Sequence, residues 1–445
     1  MNGEPPPVAA LFDYTARTQP ASGTPGAVVV IATRDGVVAC KGFGVDGAGQ
    51  PMTCDSPVAI ASLSKGFTAI AAMQLVRAGK IQLDAPVQRY LTWFRVADAD
   101  DSARITVRDL LNQRSGFSES SGRAWLASRP SGDDIVERRV RALSTVRLSS
   151  APGTRFEYSN ANYDVLGALV ASVSGVPYQH YMQTKVLRPL GISGARFSCE
   201  SDPHGYVRVF SFPVRAGNQP ELCADVPAGG LEMSATEYGR YLAANIDAGR
   251  SWSSALLDPG GWQTLQRSPN DMPYAMGWFE TIRPDGTREL RHDGAAPDFH
   301  NFAALLPGRG IAAARLSNAN EMPDGGRSDA VDRGFLQTLE GRIADAQPLL
   351  PPDIYLRLLI VGAAILSFRS LRPAPTRLRN SLIAAANLIG VAAIVWYVLP
   401  QWGWSPGVGF AYAPDLTVLI LVLVAVLTCG GGVALYSAVV NASRR

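Results

Sequence analysis

Ser62 and Lys65 stand three residues apart at the start of a segment whose apolar residues Leu63, Phe67, Ile70, Ala71 and Leu75 recur at helical spacing until Gly79. On one helix they lie a turn apart, so the lysine amine reaches the serine hydroxyl. A serine hydroxyl is a weak nucleophile at neutral pH and needs a neighbouring base. A lysine desolvated near the positive end of a helix dipole is pushed toward the neutral form that can take the proton. Taken alone, the pair reads first as a helix-capping serine with a solvated lysine. Two later segments change that balance. Tyr158-Ser159-Asn160 lies on a loop-like stretch that passes into an apolar helix from about 163 to 174. His292-Asp293-Gly294 lies at a strand end, where glycine lets backbone come close to a ligand.

In this order Ser-x-x-Lys, Tyr-x-Asn and His-x-Gly, spread over about 230 residues, resemble the class C β-lactamase, D-alanyl-D-alanine peptidase and serine esterase family. Segments Ile105–Phe117, Arg188–Ile192, Pro227–Leu231, Tyr274–Trp278 and Leu306–Asn318 also fall in family order, so the resemblance covers roughly residues 8 to 340. It implies Ser62 as the acylated nucleophile, Lys65 as its proton partner and Tyr158 as the general base. It implies that Asn160 contacts the substrate amide or Lys65, and that His292, Gly294 and Ala295 line the substrate site. The backbone N–H groups of Ser62 and Ala295 would form the oxyanion hole. His292 stands where the β-lactamases carry a lysine; it keeps a donor near the Tyr158 phenol but loses a fixed positive charge, which puts recognition of a substrate carboxylate in doubt. Gln113 stands where the family often has histidine.

These residues need a scaffold that brings positions 62, 158 and 294 together. Ala27–Thr33 and Val37–Phe43, joined at Arg34-Asp35-Gly36, read as an antiparallel hairpin. The strand-like runs near 287–293, 299–306 and 310–317 are its evident sheet partners. The expected fold class is therefore α/β and β-lactamase-like: an antiparallel sheet flanked by helices, with a mostly helical insertion at about 80–225 and the site between the two lobes. The expected organisation is a hydrolase domain over 8–345, a Pro-rich linker over 346–353 and a membrane tail over 354–445.

Other chemistries fail on their context. The formal net charge is +3 with basic residues scattered, so nucleic-acid binding is excluded. Gly42–Gly47 fits G-x-G-x-x-G but runs into Gln50-Pro51 rather than a helix. No G-x-S-x-G surrounds Ser62. The four histidines and five cysteines show no metal-ligand spacing, and the proposed chemistry needs no cofactor. Asp293 and His300 read as structural, and Asn318 as a turn residue. Cys40 with Cys54 and Cys199 with Cys223 are each equally a disulfide or a pair of buried thiols.

The tail holds three apolar stretches, Ile354–Phe368, Leu382–Leu399 and Leu416–Val440; the last runs 25 residues without a charge. Arg357 in the first is expected to snorkel to an interface. Arg369, Arg372, Arg377 and Arg379 lie between the first two, whereas Pro400–Pro414 has no basic residue and carries Trp402, Trp404, Phe410 and Tyr412. By the positive-inside rule, residues 1 to about 350 face outward. Met1–Pro7 has neither a basic n-region nor an apolar h-region, so either the chain as given begins downstream of an export signal or the topology is inverted; the consistent charge asymmetry favours the former. The expected protein is a multi-pass serine hydrolase of the bacterial membrane, its partners a lipid bilayer and an ester, D-amino-acid peptide or β-lactam substrate. The competing reading is a membrane penicillin sensor or pseudo-enzyme with slow or no turnover.

Overall fold

The protein is seen here as a computed structural model, which describes residues 7–123, 134–197, 204–210, 212–217, 225–269, 272–320, 326–344, 352–368, 376–398, 409–410 and 413–443. Eleven strands lie among them. They are β1 (Gly26–Thr33), β2 (Gly36–Gly44), β3 (Val58–Ala59), β4 (Arg196–Phe197), β5 (Tyr206–Val209), β6 (Phe212–Arg215), β7 (Leu231–Met233), β8 (Phe279–Ile282), β9 (Arg288–Ala296), β10 (Phe299–Leu306) and β11 (Ile311–Ser317).

Six of them form one antiparallel sheet in the order β2-β1-β11-β10-β9-β8. The N-terminal hairpin and the C-terminal strands thus pair as the sequence predicts, with β1 aligned on β11 from Ala27↔Ser317 to Thr33↔Ile311. Strands β1, β10 and β11 are buried at almost every position because helices cover both faces. Val28, Val30, Ala303, Leu305, Ala314 and Leu316 join a core with Phe67, Tyr238 and Tyr241. The alternate residues Val29, Ile31, Phe302, Ala304 and Ala313 meet Leu11, Val331 and Phe335 on the other side. Those three come from helices Val8–Ala21 and Gly326–Leu339, tied by a hydrogen bond from Tyr14 Oη to the Val331 carbonyl at 2.8 Å. The N-terminal helix, the edge strand β8, the short β3-β7-β4 sheet and the β5–β6 hairpin are additions to the sequence reading.

A second lobe follows β3 and is built from helices, chief among them Ile135–Ala142 and Asn160–Ser174; the latter stops at Gly175, whose φ of +76° suits a left-handed cap. The helix Ser64–Arg77 lies between the lobes, packed against Asn160–Ser174 on one side and Val226–Gly229 on another. Gly66 in its first turn is required by packing, since a Cβ there would fall 1.9 Å from the Tyr241 hydroxyl. The tail forms helices Pro352–Phe368, Arg377–Ala393 and Pro414–Ser443, with the first two packed against the third. Arg357 does not snorkel as the sequence predicts: it is buried in an ion pair with Asp415. Most of the linker and of the loops between the tail helices falls outside the described residues, as do Cys199 and Cys223. Cys40 and Cys54 are joined in a disulfide.

Candidate active site

Ser62 sits in a 3₁₀ turn, Ala61–Leu63, that runs directly into the Ser64–Arg77 helix, rather than in the helix itself. Ala61 has φ of +49°, a sparsely populated value for a residue with a side chain, placed immediately before the candidate nucleophile. Gly294 on β9 lies against this turn, where a Cβ would be 2.3 Å from the Ile60 carbonyl oxygen. The Asn301 amide secures the junction by donating to the Ala59 carbonyl at 2.9 Å. Ala295, the next residue on β9, pairs with His300 on β10.

Lys65 is the second residue of the helix and fully buried. Its Nζ lies 3.0 Å from Ser62 Oγ, 2.8 Å from Asn160 Oδ1 and 2.7 Å from the Ala228 carbonyl oxygen. The Tyr158 ring centroid is 4.9 Å from the same nitrogen, which sets the phenol beside Ser62. Burial lowers the Lys65 amine to about 8, opposed by the carboxylates Asp225, Asp164 and Asp293. Burial has the opposite effect on Tyr158 and holds its phenol well above the ordinary value, against the contribution of the Ser62 hydrogen bond.

Two layers of residues fix this cluster. Asn160 opens its helix, accepts from Lys65 and donates from Nδ2 to Asp225 Oδ2 at 2.7 Å. Asp225 and Asp164 both face the buried guanidinium of Arg139, at 3.0 and 2.6 Å. On the other side, the Gln113 carbonyl accepts from Glu157 N at 2.9 Å while its side-chain oxygen accepts from Ser159 N, also at 2.9 Å. The two residues flanking Tyr158 are therefore both held by Gln113, which also accepts from the Asn162 amide at 2.5 Å.

His292 is buried on β9, with Nε2 3.0 Å from the Tyr274 hydroxyl and Nδ1 2.5 Å from the Asp293 carbonyl oxygen. Burial lowers its imidazole to about 4 despite Asp293. Its ring lies 6.0, 5.7 and 5.5 Å from those of Tyr158, Tyr274 and Phe279, so the wall beside the serine is aromatic. His300 points elsewhere: its Nε2 is 2.6 Å from Asp332, which also faces Arg315. Asn318 closes a turn, accepting from Gly26 N and donating to the Val45 carbonyl.

The structure thus brings Ser62, Lys65, Tyr158 and Asn160 into one cluster, with Gly294 against its nucleophile turn and His292 along its wall. Arg139, Asp164, Asp225 and Phe279 were not singled out from sequence, and Tyr274 entered only as the start of a segment in family order. Asp164 carried a signal, a lone carboxylate inside the apolar run Ala161–Val170.

The profile of the family described as Beta-lactamase matches residues 12–336. "Protein flp" of Staphylococcus aureus (strain MW2) is 26% identical over 312 residues, covering 66% of this chain and 60% of that protein. The chain therefore spans less than two thirds of that relative's length. "Penicillin-binding protein 4" of Amycolatopsis lactamdurans is 29% identical over 299 residues, 61% of this chain and 74% of the relative. Among solved structures, the octameric penicillin-binding protein homologue from Pyrococcus abyssi superposes with a TM-score of 0.64 at 25% identity, covering 80% of this chain and 81% of the other. The D-amino acid amidase from Ochrobactrum anthropi SV3, complexed with D-phenylalanine, shares the fold with a TM-score of 0.61 at 21% identity, over 75% and 98% of the two chains. The chain belongs to the beta-lactamase family, serine hydrolases built on this fold.

Proposed function

We propose that the protein is a membrane-anchored serine hydrolase that acts through an acyl-enzyme on Ser62. The observation that carries the reading is the set of partners around Lys65 Nζ. Two of its three oxygens, from Asn160 and Ala228, can only accept hydrogen bonds; Ser62 can also donate one. When Lys65 is neutral its two N–H groups satisfy the carbonyls, and its lone pair is left for the serine proton. An amine lowered to about 8 is neutral in a useful fraction of molecules near neutral pH, whereas a phenol raised well above its ordinary value is not ionised there. Lys65 is accordingly the base for attack. Tyr158 keeps its proton until the leaving group needs one, a different division of labour from the general-base role that the family resemblance implies.

In the reaction, Ser62 Oγ bonds to the substrate carbonyl carbon as its proton passes to Lys65. The Ser62 and Ala295 N–H groups hold the oxyanion. The bond to the leaving group then breaks as Tyr158 protonates it and recovers a proton from Lys65. Water repeats the sequence to release the acyl group and restore Ser62. Asn160, His292 and Gly294 line the substrate site. The neutral His292, its aromatic neighbours and the Asp293 carboxylate beside it offer nothing to hold a substrate carboxylate, which ranks esters and D-amino-acid amides above carboxylate-bearing β-lactams.

The tail supports the membrane part of the reading. Leu378–Trp396 and Pro414–Val440 are long and apolar enough to cross a bilayer, and large side chains such as Leu382, Trp396, Val422 and Val439 are exposed on them. A Cys40–Cys54 disulfide suits an oxidising compartment, which fits an outward-facing catalytic domain. The proposed organisation is a hydrolase domain over 8–345, a linker over 346–353 and a multi-pass tail over 354–445. The test is turnover of a chromogenic short-chain ester, a D-amino-acid amide and a fluorescent penicillin by the full chain in detergent. Release of ester or amide product in repeated cycles supports the hydrolase; an acyl group that stays on the protein for hours with every substrate points to the sensor reading instead.

A further inference from the structure

The β5–β6 hairpin takes no part in the acyl-transfer site, yet it has two chemically opposite faces. Its register is Tyr206↔Arg215, Val207↔Val214, Arg208↔Pro213 and Val209↔Phe212, so cross-strand partners share a face. Tyr206 and Arg208 fasten one face to the catalytic domain: the Tyr206 hydroxyl donates to the Asp46 carbonyl at 3.0 Å, and Arg208 donates to the carbonyls of Ser22 and Gly23 at 3.0 and 3.2 Å. The other face, Val207, Val209, Phe212 and Val214, is apolar throughout. Phe212 is 73% exposed and Val214 46%, and Phe210 at the turn is 50% exposed. Clustered exposed apolar side chains of this kind mark a contact surface.

The turn of the hairpin points to what covers it. Phe210 donates its backbone N–H to Asp415 Oδ2 at 2.8 Å. Asp415 lies in the first turn of the Pro414–Ser443 helix, at the end of the 27-residue apolar segment Pro414–Val440. It also receives Arg357 Nη2 at 3.1 Å, both side chains being buried. The charged end of an apolar span sits at the polar boundary of a bilayer. The hairpin meets the tail at that end, which puts its turn at the level of the polar boundary of the bilayer.

We propose that the Val209, Phe212 and Val214 face of this hairpin lies in the boundary between headgroups and acyl chains of the bilayer that the tail crosses, seating the catalytic domain on the membrane surface. The inference rests on the membrane-anchored reading above. It also ties the height of the site to the bilayer, because the residues leading into β5 are bound to the active-site sheet. Gly205 N donates to Asp298 Oδ2 at 2.7 Å in the β9–β10 turn, and Tyr206 N donates to the Asn318 carbonyl at 2.8 Å. Substrates presented at the membrane surface are the class this geometry serves.

The test uses the full chain in phospholipid nanodiscs, with photoreactive p-benzoylphenylalanine substituted in turn for Phe212, for Val422 on the span and for Ile282, an exposed residue of β8. After irradiation, lipid adducts are mapped by peptide mass. The expected result is lipid attached at 422 and, within a few-fold, at 212, with none at 282. Lipid at 422 but not at 212, or a crosslink from 212 to a second copy, overturns the hairpin proposal and leaves the anchor intact. Equal lipid labelling at 212 and 282 overturns it as well, since that is chance collision. No lipid at 422 removes the anchor and the hairpin proposal together.

Discussion

Asn160 is gripped from behind by Asp225, whose Oδ2 takes the Asn160 amide at 2.7 Å and so turns Asn160 Oδ1 toward Lys65. Asp225 in turn faces the buried Arg139, which Asp164 shares. Replacing Asp225 by Ala removes the acceptor that orients Asn160 and leaves Arg139 with one carboxylate. Breaking a buried pair in this way costs about 3–5 kcal/mol of stability. We predict that Asp225→Ala lowers the urea midpoint and reduces kcat by roughly tenfold or more, about 1.4 kcal/mol of transition-state stabilisation, with a smaller change in KM. An unchanged kcat in a folded variant contradicts the positioning role.

The Lys65 amine at about 8 sets the pH dependence. Activity requires the neutral amine, so kcat/KM should climb as pH rises toward 8 and level off above it. His292, at about 4, is already neutral across this range and adds no second limb. For stability the sign runs the same way. The unfolded lysine holds its proton up to about 10.5, so burial of Lys65 costs most below pH 8 and the cost fades as pH rises from 8 toward 10.5. A pH-rate profile on an ester whose own chemistry does not titrate checks the first point; a limb centred near 6.5 would contradict it.

Gln113 shows why a departure from a family pattern can be silent in sequence. Its φ is +57° and its two oxygens hold Glu157 and Ser159 on either side of Tyr158. Gln113→Ala leaves the buried Ser159 N–H and the Asn162 amide without this acceptor, at about 1–3 kcal/mol for each group. The expected outcome is a lower melting temperature together with a fall in kcat, because the Tyr158 loop loses its register. Circular dichroism melts and steady-state kinetics on the same preparation check both.

The Cys40–Cys54 bond closes a loop of 14 residues' separation between β2 and the approach to β3. A loop of that size is worth about 3 kcal/mol through the unfolded chain. Replacing both cysteines by serine should lower the melting temperature, and intact mass under non-reducing conditions should show one bond between these two residues. Free thiols at both positions in protein taken from its native membrane would contradict the bond and remove its support for the outward-facing orientation.

The main sheet and the residues of the three motifs were legible in the sequence for physical reasons. Strands β1 and β11 are rich in β-branched or small apolar residues, β9 and β10 are set off by the turns around them, and Ser62 and Lys65 are close in the chain, so local spacing sets their distance. The supporting shell was not legible. Arg139, Asp164 and Asp225 converge from three elements separated by tens of residues, and each is an ordinary polar residue until burial removes its water. Arg357 read as a snorkelling cation because its partner Asp415 lies 58 positions away, at the start of a different helix. The hairpin β5–β6 was missed because Pro213 interrupts a short strand and the alternation is brief.

The most direct test of the account is the site of acylation. Full-length protein is quenched in acid during turnover of the ester and after exposure to an active-site fluorophosphonate, then digested and sequenced by mass spectrometry beside Ser62→Ala. The account predicts acyl and phosphonyl adducts on the peptide that carries Ser62, both lost in Ser62→Ala. Adducts that persist in the folded variant, or that map to another serine, would contradict it.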